Sequence, residues 1–348
     1  MNTKEIMERF KRLDTDKLIA EKPLEQRDMS RLLVIERRNK KIYHRRFKDI
    51  VEYLRKGDCI VLNESKVIKA RFNVYSDNGS QRDVIFISPV EGNFKLWRCI
   101  SRKLSDKKRY FVDEDRYFIL KNRHNEGYNI VEFNRDFTFD DIDKKGMVPL
   151  PHYILKKRKN KKDEIYLDEQ RYQTVYASEK GSIAAPTAGF HFTENLIDEI
   201  KKMGVSIAKI VLHIGYGTFK MVRTDPDNFV MPSEYAKITP EACNVINLSK
   251  KSGGRIFVVG TSSMRAIEKM NDGSMVISQE CYSDIFIKPP WNFKIADAFI
   301  TNLHLPHSPP LYMVLAFCGD EKLLYDAYSQ AVELGYRFYS YGDASIIL

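Results

Sequence analysis

Three short segments combine small residues, hydroxyls and histidine in a way that suits ligand chemistry. Ala185-Pro186-Thr187-Ala188-Gly189-Phe190-His191-Phe192-Thr193 sets a turn and a histidine just ahead of a helical stretch. Small residues let a ligand approach the backbone, and the free amides that open the following helix suit an anion such as a carboxylate or phosphate. The same pattern fits a plain loop whose histidine is bonded for structure. His213-Ile214-Gly215-Tyr216-Gly217-Thr218-Phe219 ends an apolar run, at the carboxyl edge where open α/β sheets bind ligands, although two glycines alone are a weak signal. Gly260-Thr261-Ser262-Ser263-Met264-Arg265 again follows an apolar run and opens a helix. It lacks the glycine spacings of nucleoside-triphosphate and ordinary dinucleotide sites, so both are disfavoured. Thr301-Asn302-Leu303-His304-Leu305-Pro306 and Tyr339-Ser340-Tyr341-Gly342-Asp343 are polar clusters beyond apolar runs that also read as turns.

The seven histidines, His44, His124, His152, His191, His213, His304 and His307, form neither H-x-H nor H-E-x-x-H, so no metal centre is expected. Cys59, Cys99, Cys243, Cys281 and Cys318 are odd in number with no C-x-x-C pair, which disfavours a zinc knuckle and a disulfide framework. With 57 Lys+Arg against 47 Asp+Glu the net charge is +10, a balance that favours polyanionic partners. Lys156-Lys157-Arg158-Lys159-Asn160-Lys161-Lys162 puts six cations in seven residues, a candidate nucleic-acid contact or else a solvated charge run.

The elements that must position these groups follow from the periodicity. At 348 residues, 43% hydrophobic and 30% charged, the chain is a folded protein two or three times the usual domain size, which leaves room for a domain division or an insertion. A helix, the apolar run Ser30 to Ile35, helical spacing over Phe47 to Leu54 and the buried strand CIVLN after Gly57-Asp58 make an α/β start. From about Ala70 to Gly146 short alternating runs separated by turn signals predict a β-rich unit, a sandwich or small barrel, inserted into the α/β pattern. Beyond MVPLPHYI and the basic run come a helix over Asn195 to Met203 capped by Gly204, the strand VSIAKIVLHI, the strand at 255–259, a helix from Ser263 to Met270 and a closing helix from about Glu321 to Gly335. The expected fold is α/β, a mainly parallel layered domain of residues 1–69 and 148–348 with a small β-barrel domain inserted at 70–147. No stretch reaches the roughly 18 apolar residues of a membrane span, and the polar MNTKEIMERFKRLDTDK is unlike a signal peptide, so a cytoplasmic protein is expected.

Nine ordered blocks resemble the S-adenosylmethionine:tRNA ribosyltransferase-isomerases of queuosine biosynthesis. They are Arg27-Asp28 with SRLLV (30–34), GDCIVLNESKVIKAR (57–71), PLPHYI (149–154), RYQTVYA (171–177), GSIAAPTAGFHFT (181–193), LHIGYGTF (212–219), GTSSMRAIE (260–268), ITNLHLPHS (300–308) and YRFYSYGDA (336–344). The resemblance implies an α/β domain with an inserted barrel, and a reaction in which S-adenosylmethionine gives its ribosyl group to 7-aminomethyl-7-deazaguanine at the tRNA wobble position. Adenine and methionine leave and epoxyqueuosine-tRNA forms. The sulfonium acidifies the C5′ hydrogens, so a positioned base starts an elimination that dislodges adenine; the amine then attacks C1′ and the hydroxyl closes the epoxide.

On that resemblance the catalytic candidates are His191 or His213 as acid/base and Glu234 or Asp343 near the sulfonium. Arg265 or the amides of Thr261, Ser262 and Ser263 are candidates for the methionine carboxylate. The substrate-binding set is Thr187, Gly189, Phe190, Gly215, Gly217, Thr218, Thr261, Ser262, Arg265, Trp291, Asn302, His304 and Tyr341. Lys156, Lys157, Arg158, Lys159, Lys161 and Lys162 are the tRNA-binding candidates. S-Adenosylmethionine is consumed as a substrate, no cofactor is implied, the partners are tRNA and S-adenosylmethionine, and a monomer is expected. The chain departs from the family at Phe229-Val230-Met231-Pro232-Ser233-Glu234 (usually His-x-Met-His-x-Glu), Pro289-Pro290-Trp291 (Pro-Gly-Tyr), His307-Ser308-Pro309 (Lys-Ser-Thr) and Gln170 (Glu). These departures touch pocket segments and so leave a second reading, a divergent paralogue that ribosylates a different, small-molecule amine. A third, an inactive RNA-binding module, would need only the basic surface.

Overall fold

The computed structural model describes residues 3–124, 127–151, 154 and 168–348, the side chains of 218 and 219 excepted. The basic run at 156–162 lies outside the described residues. Helix α1 (Thr3–Lys11) buries Ile6, Met7 and Phe10. Strands β1 (Arg31–Glu36) and β2 (Lys41–Arg46) form an antiparallel hairpin. The helical spacing that follows becomes a 3₁₀ turn, Phe47–Tyr53, whose start is held where Asp49 accepts the Arg46 amide at 2.8 Å. Strands β3 (Cys59–Asn63) and β4 (Ser65–Val67) come next.

Six strands then close into a barrel: β5 (Arg71–Ser76), β6 (Gln81–Val90), β7 (Asn93–Ser101), β8 (Arg109–Phe111), β9 (Tyr117–Arg123) and β10 (Asn129–Phe133), in the order β10-β7-β6-β5-β8-β9 with β10 pairing back to β9. Phe86 sits at its centre, its ring 5.1–6.2 Å from those of Phe72, Trp97, Phe118, Phe133 and Phe137. Closure leaves no unpaired strand edge, so a small unit stays stable around an aromatic interior. Helix α2 (Phe139–Lys145) follows, capped by Thr138.

The chain re-enters the α/β layer through β11 (Glu179–Ser182), which pairs with β4. It continues through α3 (Glu194–Lys202), β12 (Ser206–Leu212), β13 (Glu234–Ile238), α4 (Pro240–Lys251), β14 (Ile256–Val259), α5 (Gly260–Lys269) and β15 (Gln279–Ser283). Last come β16 (Ala298–Asn302), α6 (Pro309–Cys318), α7 (Glu321–Glu333) and β17 (Ala344–Ile347). The nine-stranded sheet runs β15-β13-β12-β3-β14-β16-β17-β1-β2. Its centre, β12-β3-β14-β16, is parallel, as is β17 with β1, while β13, β15 and β2 add antiparallel flanks and β17 runs against β16.

Alternation along the strands splits the core in two, because successive side chains point to opposite faces. Cys59, Val61 and Val258 pack with α4, α5, α6 and α7 on one face. Ile60, Leu62, Phe257 and Val259 pack with α3 and the Phe47 turn on the other. Both faces of the central strands are thus covered, which is why CIVLN reads as a continuous apolar run. No helix among the described residues is long and apolar enough to cross a membrane.

Candidate active site

The parallel strands bring their carboxyl ends to one edge, and β13, running the other way, brings its first residue there too. Around that edge lies a cavity that opens to solvent, with about 980 Å³ of empty space once the solvent at its mouth is included. Seven of the residues singled out in the sequence meet on its wall: Thr187, Glu234, Thr261, Ser262, Arg265, Asn302 and His304. Met231, Phe286, Ile285, Ile287, Met313, Pro309 and Pro310 make the apolar part, with Tyr172, Tyr339 and Ser340 also contributing. No spacing rule points to these apolar residues; they come from the ends of different elements.

Glu234 and Arg265 form a buried ion pair on this wall. Oε1 of Glu234 accepts the Gly215 amide at 2.7 Å, and Arg265 donates from Nη2 to the Ser283 carbonyl at 2.7 Å and from Nε to the Ile285 carbonyl at 3.1 Å. The guanidinium is therefore taken up by protein acceptors and the carboxylate by a cation and an amide. A second array orients the opposite wall. Thr187 donates to Asn302 Oδ1 at 2.8 Å, and Asn302 Nδ2 reaches His191 Nε2 at 3.2 Å. His191 Nδ1 in turn meets Ser30 Oγ at 2.7 Å, so the proton of this imidazole sits on Nδ1. Phe47 packs against the ring in a tilted arrangement, the centroids 5.0 Å apart. Burial, with Arg27 and Arg337 adding to it, pushes the His191 pKa down to about 3 and keeps the ring neutral.

His304 does line the cavity. Its Nε2 bonds Thr301 Oγ1 at 2.8 Å, and burial lowers its pKa to about 3. Helix α5 begins directly at the cavity: Gly260 takes φ +85°, a left-handed turn open to glycine, and Val259 before it offers no side-chain cap. Among the described residues the first amides of α5 therefore have no side-chain cap where Thr261 and Ser262 border the cavity. Ser262 Oγ is held by Asn63 Nδ2 at 2.9 Å.

The remaining candidates lie elsewhere. His213 bonds Ser65 Oγ at 2.7 Å and stacks on Tyr235, with its ring against Gly181, where a Cβ would stand 2.5 Å from Nε2. Burial lowers its pKa to about 4. Asp343 accepts Arg31 N and Nε and Arg337 N at 2.8–3.1 Å, clasping the C-terminal turn. Gly189 packs under Tyr176, Gly215 serves Glu234, and Gly217 lies against the Pro232 ring. Trp291 is off the cavity wall, its Nε1 3.4 Å from Glu268, which also accepts the Lys294 and Ile295 amides. Phe190, His191 and Tyr341 border a separate recess behind Asn302. The side chain of Thr218 and the lysines at 156–162 are outside the described residues.

Fold and cavity together define an α/β protein with an inserted barrel and an open, polar-and-apolar cavity on the carboxyl edge of its sheet. A family model described as a queuosine biosynthesis protein matches residues 9–347. The chain is 44% identical over 348 residues to an S-adenosylmethionine:tRNA ribosyltransferase-isomerase of Thermodesulfovibrio yellowstonii, covering 97% of each. It is 42% identical over 338 residues to one of Acetivibrio thermocellus, covering 95% of this chain and 96% of the relative. The crystal structure of an S-adenosylmethionine tRNA ribosyltransferase from Thermotoga maritima superposes with a TM-score of 0.52 at 31% identity, over 95% of this chain and 97% of that one. The chain belongs to the queuosine biosynthesis protein family.

Proposed function

We propose that this protein transfers and isomerises the ribosyl group of S-adenosylmethionine onto 7-aminomethyl-7-deazaguanine at the wobble position of tRNA, yielding epoxyqueuosine-tRNA, adenine and methionine. Full-length likeness to the ribosyltransferase-isomerases supports this reading over a small-molecule paralogue. The observation that carries it to this chain is the cavity itself, where a buried Glu234–Arg265 pair, the open end of α5 and a neutral imidazole face one space. In this reading the Glu234 carboxylate lies toward the sulfonium and holds the cation in place until the C5′–S bond breaks and its electron pair leaves with methionine as a neutral thioether. Because Arg265 is engaged by Glu234, Ser283 and Ile285, the methionine carboxylate falls to the α5 amides at Thr261 to Ser263.

Among the imidazoles, His304 is on the cavity wall and is the one assigned to handle a substrate proton. His191 acts through Asn302 as a positioning residue, and His213 and Asp343 hold the surrounding turns. Residues 70–147 serve as an inserted domain on a catalytic body of 1–69 and 148–348, in a monomeric cytoplasmic enzyme that consumes S-adenosylmethionine and uses no resident cofactor. The test is release of adenine and methionine from S-adenosylmethionine with tRNA carrying the deazaguanine. Release in step with tRNA modification is expected; a protein that binds S-adenosylmethionine but leaves this tRNA inert and modifies a small amine would overturn the proposal.

A further inference from the structure

Behind the Asn302–His191 contact lies a second recess of about 290 Å³, mouth included, bordered by Leu24, Arg27, Arg171, Phe190, His191 and Tyr341. Among the described residues its lining carries two guanidiniums and no carboxylate, and the buried Asp168 behind it accepts the Tyr341 hydroxyl at 2.9 Å. Arg27 commits a donor to the Phe190 carbonyl at 3.2 Å, and Arg171 donates to the carbonyls of Leu24 and Glu25. Neither guanidinium has a carboxylate in ion-pair reach among the described residues, and the Nε of Arg171 is buried without a partner there. Burial and the neighbouring Arg171 pull the Arg27 pKa down to about 10, and Arg337 adds to the positive field at His191. Two half-buried like charges without a counter-charge are unfavourable in the free protein, and an anion entering the recess relieves that cost.

We propose that this recess is a subsite for one backbone phosphate of the RNA that carries the acceptor base. Guanidinium pairs match phosphate oxygens with parallel N–H donors, which a single lysine cannot do. The donor's own carboxylate is a poorer occupant. The hydrogen-bonded chain Thr187–Asn302–His191 stands between cavity and recess, and the open α5 amides lie on the cavity side. Ser340 borders both spaces, so an acceptor base entering the cavity mouth brings its flanking backbone to the recess. A phosphate fixed there sets the register of the RNA on the protein without reading its sequence.

The inference rests on the reading of this protein as a tRNA-modifying enzyme, and its test uses the full-length protein with an anticodon stem-loop RNA bearing the deazaguanine. Arg27→Gln and Arg171→Gln should melt like the parent and bind S-adenosylmethionine as before. They should bind the RNA about 3- to 10-fold more weakly at low salt, with a slope of log K against log salt shallower by about 0.7–0.9. Neutral methylphosphonates placed singly along the loop should weaken wild-type binding at one linkage beside the acceptor, and that linkage should be silent in Arg171→Gln. Unchanged RNA affinity and slope in a well-folded variant would overturn the assignment, as would loss of S-adenosylmethionine affinity with RNA binding intact. Should neither variant fold, the wild-type scan decides, since absence of any sensitive linkage also overturns it. Wild-type protein that shows the arginine-dependent linkage yet never releases adenine would instead refute the proposed function and leave the subsite standing.

Discussion

Replacing Asp343 by asparagine separates a structural carboxylate from a chemical one. Oδ1 of Asp343 accepts Arg31 N at 2.9 Å, and Oδ2 accepts Arg31 Nε at 3.1 Å and Arg337 N at 2.8 Å. The side chain is 2% exposed, so water is not at hand to replace a lost partner. An asparagine that puts its oxygen where Oδ2 was keeps two of these bonds, and its NH₂ then faces the Arg31 amide, donor against donor. Loss of charge assistance is worth about 1.5–3 kcal/mol and a stranded buried donor about 1–3 kcal/mol, so the sum is about 2.5–6 kcal/mol. At about 2 °C per kcal/mol for a large domain, the melting temperature should fall by about 5–12 °C. Scanning calorimetry reads that shift, and adenine release, measured well below the melt, should drop less than about 10-fold. A variant that melts within about 2 °C of the parent and loses more than about 100-fold in turnover would refute the clasp and return the carboxylate to the reaction.

Two further outcomes follow from burial. His191 and His304 titrate near about 3 and His213 near about 4, all lowered by burial from 6.5. The unfolded chain therefore takes up protons first as pH falls below about 6.5, so the urea midpoint should decline from pH 7 to pH 5 at up to about 1.4 kcal/mol per pH unit for each histidine. The decline should be shallower in His191→Gln, and a flat wild-type midpoint over that range would contradict the burial argument. Gly189→Ala places a Cβ 2.0 Å from the Tyr176 hydroxyl, so it should cost about 1–3 kcal/mol of stability measured by urea unfolding. A variant that unfolds like the parent but loses S-adenosylmethionine affinity would instead put Gly189 at the ligand.

The legible part of this fold is the part whose side chains repeat. CIVLN shows as a strand because both of its faces are covered, and the closely spaced alternating runs after Ala70 are where the barrel strands lie. Strand β2 escapes notice because Lys41–Arg46 is a half-exposed edge of polar residues with little contrast between its faces. Helix α5 starts at Gly260 rather than Ser263, since the left-handed glycine lets the strand turn into the helix without a linker. The site was legible in its segments and not in its partners. Seven of the nine ordered blocks reach the cavity wall, but nothing in their spacing tells that Arg265 is engaged by Glu234, 31 residues earlier, through a strand running opposite to its neighbour. Nor does it tell His304 on the cavity from His213 behind Ser65, because both follow a strand and differ only in what packs over them.

The segment Phe229 to Glu234 shows what its departures change. Phe229 packs against Phe286 with the rings tilted and 4.9 Å apart, Met231 lines the cavity, and the Pro232 ring lies against Gly217. Phe229 and Pro232, where the family usually has histidines, do not line the cavity; they pack behind it. The groups that meet charge are untouched: Glu234 keeps its pair with Arg265, and the α5 amides keep their place at Thr261 and Ser262. An apolar wall lowers the local dielectric beside the buried Glu234–Arg265 pair, which strengthens the attraction within that pair. It gives no hydrogen bond to a flat heterocycle. If the proposed function holds, the donor side of the site keeps Glu234, Arg265 and the start of α5, so the departures bear on the acceptor side, where the proposed phosphate contact would add to the fit of the base.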